Sequence, residues 1–282
     1  MTADTAEIDA YCSRIGYTGA RKPSLAVLQR VLAAHTAAIP FENLDVLLRR
    51  PVRLDPASLY AKLVRGGRGG YCFEHNLLLL DVLTAFGFRA QGLAARVQWG
   101  RPPGSVGPRT HMLLRVDFAD GPYLADVGFG GLTPTAPLAL TPGREQPTPH
   151  ETFRLVEADG EFGLEAQLGA DWGSLYRFSL QPQLLVDYEV ANWFTSTYPD
   201  SLFVNHLIAS RATPDGRRAL FNTRFTRRRR DGASERRVLR GSEIAEVLGR
   251  EFGIALPPPA EQATIAALAE THAAHPSPFD GG

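Results

Sequence analysis

Near residue 90 the apolar residues of this chain stop recurring at helical spacing and begin to alternate. Upstream, Asp4 and Glu7 read as a capping box, Ile8, Tyr11, Cys12 and Ile15 follow on one helical face, and Gly16 ends the pattern. Ser24 opens a second helix with Leu25, Leu28, Val31, Leu32 and His35 on one side. Asp55 and Pro56 supply the N-cap and first position of a third helix through Val64, and a fourth runs from Cys72 to Phe86 with Gly87 at C′. Downstream to about Tyr198 the segments are short, aromatic and β-branched. Strands are expected at 93–99, 111–118, 123–127, 151–157 and 162–167, with turns at Asp120-Gly121 and Asp159-Gly160 and a loop at Pro102-Pro103. The last third mixes both types. A hairpin of 219–229 and 235–240 flanks Asp231-Gly232, a helix follows Ser242, another spans 261–269, and the tail 275–282 is expected to fray. Helices, then strands, then a mixture argue for an α+β fold rather than alternating βαβ units.

Composition narrows the function classes. The 30 basic and 30 acidic residues cancel, so the chain is not built for bulk electrostatic capture of nucleic acid or a membrane surface. Its first ten residues carry Asp4, Glu7 and Asp9 and do not resemble a signal peptide. No apolar run approaches the ~18 residues of a membrane helix, and a cytoplasmic protein is expected. Two cysteines, Cys12 and Cys72, make neither a disulfide framework nor a multi-cysteine zinc site.

The densest chemical signal is the run from Arg65 to Asn76, Arg-Gly-Gly-Arg-Gly-Gly-Tyr-Cys-Phe-Glu-His-Asn. Its glycines permit close backbone approach and deliver Cys72 into the first turn of the fourth helix. Free N–H groups and the dipole at a helix start favour a thiolate, the nucleophilic form, and Arg65 and Arg68 are expected to push the same way. A phosphate loop is unlike this run, because no Gly-Lys-Ser/Thr follows. For a lone cysteine, plain core packing is the default reading. It holds for Cys12 on its apolar face, whereas the surroundings of Cys72 favour catalysis.

A thiol nucleophile needs a base, and the base needs an orienting group. His111 starts a strand, and Asp126 lies within the apolar strand after it, where a carboxylate is costly unless paired. With Asp120-Gly121 as the two-residue turn, Asp126 falls opposite Arg115 and roughly 13 Å along the strand from His111. That register nominates the groups without joining them. A metal site at Cys72, Glu74 and His75 is disfavoured, because adjacent helical positions do not face one another. Alternating arginines at 227–230, with Asp231 and Glu235 nearby, read as a solvated hairpin rather than a nucleic-acid surface.

These motifs together resemble the arylamine N-acetyltransferase family. The match lies in Pro40-Phe41-Glu42-Asn43, the Arg68 to Asn76 run, Thr110-His111-Met112 and Asp126-Val127-Gly128-Phe129-Gly130, in order from about residue 5 to 135. The resemblance implies an N-terminal helical bundle (1–89), a central antiparallel β-barrel (90–205) and a C-terminal α/β lid (206–282). At the junction of the first two it implies a papain-like Cys72, His111 and Asp126 triad. It further implies ping-pong transfer from acetyl-CoA, through an acetyl-Cys72 thioester, to arylamines, arylhydrazines or N-hydroxyarylamines. Phe41, Val97 and Phe129 would line the acceptor slot, with core packing the rival reading, above all for Val97. Thr110, Gly128, Gly130 and Gly131 would contact coenzyme A, and no metal is implied. The expected partners are a small aromatic amine or hydrazine and coenzyme A, with a homodimer left open and neither nucleic acid nor membrane. Three other readings stay open: an amide synthase of the same fold fed by a carrier-bound acyl chain, a papain- or transglutaminase-like hydrolase, and a binding module that retained the fold.

Overall fold

The structure, a computed structural model, describes residues 4–276 apart from residue 103. Pro103 of the expected loop and the tail from 277 onward therefore lie outside the described residues.

Local signals fix the helical part. Helix α1 (Thr5–Ile15) starts where Asp4 accepts from the Glu7 amide at 2.9 Å and ends at Gly16, whose φ of 67° suits glycine. Ser24 caps α2 (Leu25–Ala38). After the short strand β1 (Phe41–Glu42) and one turn of helix α3 (Leu44–Leu47), Asp55 caps α4 (Pro56–Leu59), which widens into a π-helical segment at Tyr60–Arg65. Helix α5 (Cys72–Ala85) follows the glycine run, and Glu74 of its first turn accepts from the Tyr71 amide at 3.0 Å. Tyr11, Leu28, Leu32, Phe73, Leu79 and Val82 are among the residues burying the inner faces of these helices.

Eight strands then form one antiparallel sheet. They are β2 (Arg89–Val97), β3 (Arg109–Phe118), β4 (Gly121–Ala125), β5 (Leu138–Ala139), β6 (Glu145–Pro147), β7 (Thr152–Ala158), β8 (Glu161–Leu168) and β9 (Asp171–Phe178). Their order is β5-β4-β3-β2-β9-β8-β7-β6, so the sheet curls until its two short edges, β5 and β6, come together. There the Gln146 side chain bonds both the amide and the carbonyl of Ala139, and so nearly closes a barrel filled by Leu93, Leu113, Phe153, Leu155, Leu164 and Phe178. This is the α+β architecture expected from the change of period.

Two features depart from the sequence reading. Helix α6 (Leu185–Thr197) stands where short strand-like segments were expected, followed by the turn of helix α7 (Leu202–Asn205). The 219–229 segment is two strands rather than one: β10 (Ile208–Thr213), β11 (Gly216–Phe221), β12 (Arg224–Arg229) and β13 (Ser234–Val238) meander, with Asn222 at φ 52° in the tight turn. Strand β1 pairs with β10, so the N-terminal segment completes a five-stranded sheet with the C-terminal one. Helices α8 (Gly241–Arg250) and α9 (Pro259–Thr271) contribute Ile244, Leu248 and Ile265 to the core that also buries Leu220 and Phe225 of this sheet.

Candidate active site

Cys72 is the first residue of α5, and its Sγ lies 3.5 Å from the Thr110 carbonyl. Thr110 is the extra residue of a bulge in β3. Ala95 pairs with His111 and Arg96 with Arg109, leaving Thr110 unpaired and turning this end of the strand toward the helix start. The β3–β4 register differs from the one expected. Phe118 pairs with Gly121 and Leu114 with Ala125, so the turn is Ala119-Asp120, one residue early. Continuing that ladder places Asp126 across from Leu113, diagonal to His111 on the same face, which is within side-chain reach. His111 Nε2 and Asp126 Oδ2 are 2.7 Å apart. Nδ1 is thus the ring nitrogen left for Cys72, which lines the same cleft as His111.

Burial and charge set the state of this pair. Cys72, His111 and Asp126 are 4%, 3% and 0% exposed. Burial alone would lower the His111 pKa, but the Asp126 carboxylate, with a contribution from Cys72, holds it up at about 10. Burial would likewise raise Asp126, yet its carboxyl stays below the usual range because of His111 and further donors. Those donors are Asn76 Nδ2 at 3.0 Å, the Gly128 amide at 2.9 Å and the Tyr176 hydroxyl at 3.0 Å. Asn76, one turn along α5 from Cys72, also donates to the Met112 carbonyl and accepts from the Val127 amide. That one amide ties the cysteine's helix to β3 and to the segment just after β4, which carry its partners. Gly128 permits the approach, since a Cβ there would stand 2.8 Å from Cys72 Cα.

Both arginines have carboxylate partners. Arg65 is half exposed, 3.9 Å from Glu7, and Arg68 is held by Glu42 at 2.7 Å and Asp45 at 3.4 Å. Lys62 bridges Asp45 and Glu74 beside them. Glu42 and Glu74 are therefore braces of the glycine loop.

Every other nominated residue lines one cleft of about 710 Å³. Phe41, Val97 and Phe129 form apolar wall, and Thr110, Gly128, Gly130 and Gly131 surround Cys72 and His111. Sequence reasoning missed Trp99, Leu132, Leu202, Phe203 and Ile208, which complete the lining, and Tyr176, whose ring lies 4.8 Å from His111. No local signal marks them, because they come from distant segments. Trp99, Gly131 and Leu132 also wall a second hollow that reaches Arg217 and Arg228, and those two arginines wall a third that includes Arg229 and Arg230. Arg217 is ion-paired to Glu151. Among the described residues no group of three metal-ligating side chains occurs, and no helix is long and apolar enough to cross a membrane.

A buried imidazole–carboxylate pair beside a cysteine at a helix start, at the joint of a helical bundle and a barrel, is the arrangement of thiol-dependent acyl-transfer proteins. Residues 24–261 match the N-acetyltransferase family model. An arylamine N-acetyltransferase of Mycobacterium tuberculosis is 44% identical over 252 residues, covering 88% of this chain and 89% of that protein. A Mycobacterium marinum arylamine N-acetyltransferase structure superposes with a TM-score of 0.90 at 41% identity, covering 93% of this chain and 99% of the other. The same enzyme's structure in complex with CoA gives 0.88 at 40%, covering 94% and 98%. The chain belongs to the arylamine N-acetyltransferase family.

Proposed function

We propose that this enzyme transfers an acetyl group from acetyl-CoA to an aromatic amine, hydrazine or hydroxylamine through an acetyl-Cys72 thioester. The observation that carries the reading is the 2.7 Å His111–Asp126 pair beside a thiol that opens into an apolar cleft. Segment 1–89 would supply the nucleophile, 90–205 the histidine and aspartate, and 206–282 the cover.

His111 is held protonated near neutral pH, a cation beside the Cys72 sulfur. That sulfur attacks the thioester carbonyl, the C–S bond to coenzyme A breaks, and the departing sulfur takes the His111 proton. An aromatic amine is a weak base and arrives neutral. Its nitrogen attacks the acetyl-Cys72 carbonyl, His111 takes the proton released, and the Cys72 thiolate leaves. Asp126 holds the imidazole with Nδ1 toward sulfur throughout, and Tyr176 and Asn76 hold Asp126. Phe41, Val97 and Phe129 offer the acceptor's ring apolar surface. Coenzyme A fits the continuation of the cleft past Thr110, Gly128, Gly130 and Gly131, with its phosphates toward Arg228, Arg229 and Arg230. Neutral donors near sulfur and cations at the far end suit that molecule's polarity.

The experiment is intact-mass analysis after incubation with acetyl-CoA alone, then with an arylamine. An acetyl adduct that forms on the wild type, is absent from Cys72→Ala and is discharged by the amine is expected. No adduct on the wild type, or one persisting in Cys72→Ala, sinks the proposal.

A further inference from the structure

Beneath the apolar wall of the cleft runs a line of buried polar groups that the acyl-transfer steps do not use. Tyr11 on α1, His35 on α2 and His75 on α5 are each fully excluded from solvent. The Tyr11 hydroxyl is 2.9 Å from His35 Nδ1, His35 Nε2 is 2.9 Å from His75 Nδ1, and His75 Nε2 is 3.1 Å from the Pro40 carbonyl oxygen. The line ends on the carbonyl just before Phe41. The Phe41 ring lies stacked on the His75 imidazole, with 6.4 Å between centroids and 8° between planes. Phe41 in turn lines the cleft with Cys72.

Proton positions follow from the far end. A carbonyl only accepts, so His75 donates from Nε2. In a neutral imidazole Nδ1 then accepts, so His35 donates from its own Nε2, and the Tyr11 hydroxyl donates to His35 Nδ1. Reversing any one bond sets donor against donor or strands the Pro40 oxygen. Burial lowers the pKa of both imidazoles, His75 to about 4, which keeps the line neutral.

We infer that this one-directional Tyr11–His35–His75 chain positions Phe41 and so sets the acceptor slot of the acetyl-transfer reading, on which the inference rests. The backbone of Phe41 has other restraints, its pairing with Ser210 and its bridge to Gly70. Its ring is held differently, between the face of His75 and the ring of Phe203 at 6.0 Å. Gly69 lies so close that a Cβ there would stand 1.9 Å from the Pro40 oxygen. Without the His75 donor that carbonyl is left short of a partner in a dry site, and a shift of Pro40–Phe41 is its relief. Tyr11, His35 and His75 are thus positioning residues, none touching the reacting atoms.

The test has two arms. In wild-type protein, two-bond ¹⁵N–¹H NMR correlations at neutral pH report each imidazole's tautomer. Nε2–H at both His35 and His75 is expected, and Nδ1–H at either overturns the chain whatever the enzyme's activity. In variants, the rate of Cys72 acetylation by acetyl-CoA is compared with the KM for an aromatic amine. His75→Leu is expected to raise the acceptor KM about tenfold, with acetylation within about twofold of wild type. His75→Gln, whose Nε2 can again donate to Pro40, should restore most of the loss. Tyr11→Phe, the milder change at the far end, should move KM the same way by less, and serves if His75→Leu does not fold. Parallel losses in both steps, an unmoved KM, or a folded Gln variant without rescue overturn the positioning role. A wild type that forms no acetyl adduct removes the acceptor slot itself, and the tautomer result then stands or falls alone.

Discussion

Replacing Asp126 by asparagine keeps the side chain's shape and removes the charge beside His111. Asp126 is fully buried and accepts from four donors: His111, Asn76, the Gly128 amide and Tyr176. An asparagine has one accepting oxygen, so its amide nitrogen must face at least one of those donors. The larger effect is electrostatic. The carboxylate holds His111 up at about 10 against the burial that lowers it, from an ordinary value of about 6.5. Three to four pH units correspond to roughly 5 kcal/mol of preference for the imidazolium. Without the carboxylate the burial is opposed only by the smaller contribution of Cys72, and the His111 pKa falls. The sulfur then loses its counter-charge, and alkylation of Cys72 by iodoacetamide at pH 7 should fall by up to about 10⁴-fold, the loss that follows when the carboxylate of another triad becomes an amide. The same change alters stability against pH. A histidine whose folded pKa lies above its unfolded one stabilises the fold fully below about pH 6.5, and that stability is lost as pH rises through about 10. Urea titrations across that window should therefore show wild-type stability declining, while Asp126→Asn lacks this decline. Wild-type alkylation at pH 7 by a folded Asp126→Asn protein would refute the ion-pair reasoning.

Three further outcomes can be checked. Gly128→Ala puts a Cβ within 2.8 Å of Cys72 Cα, so the helix start must move; a loss of about 1–3 kcal/mol in urea unfolding and slower acetylation of Cys72 are expected, and unaltered acetylation counts against the packing argument. Arg68→Leu removes the ion-pair partner of the fully buried Glu42 carboxylate and should cost about 3–5 kcal/mol, recovered in large part by adding Glu42→Leu; a loss under about 1 kcal/mol would show that the more distant charge of Lys62 already suffices. Arg228→Ser with Arg229→Ser should raise the KM for acetyl-CoA and flatten its salt dependence, yet leave turnover of acetyl-N-acetylcysteamine, which has no phosphates, unchanged; equal effects on both donors would place the phosphates elsewhere.

Segment order was legible because each part announces itself locally. Asp4, Ser24 and Asp55 cap the helices they were expected to cap, since a cap acts within one turn. Helix α6 was not legible. Its apolar residues are largely solvent-facing, Val186, Val190 and Trp193 among them, so its sequence shows no buried stripe of helical period. Tyr188 and Asn192 do face inward, but onto Phe73 and Tyr71, whose positions the sequence does not reveal. The split of 219–229 was hidden for a related reason. Asn222 takes the positive φ of its turn without the glycine that usually marks one, while Asn222 Oδ1 takes up the amide of Leu207, just ahead of β10.

The site divides along the same line between local and distant causes. Cys72 could be nominated from its own neighbours, because glycines and a helix start act on the residue they deliver. Arg68 is committed to Glu42 and Asp45, a pairing that needs the fold of β1 and α3 to exist. His111 could be named as a base at the start of a strand and Asp126 as a costly carboxylate among apolar residues, but their contact depends on a turn placed at Ala119-Asp120 rather than one residue later. A slip of one residue in a turn moves the pairing sum by two. In a ladder where alternate residues share a face, that keeps Asp126 on the correct side of the sheet and shifts it along by two positions. The face was therefore predictable from alternation, and the distance was not. The observed register is tied to a non-local contact: Asn76 on α5 binds the Met112 carbonyl, the Asp126 carboxylate and the Val127 amide together, and so links the pairing of β3 with β4 to the helix that carries Cys72.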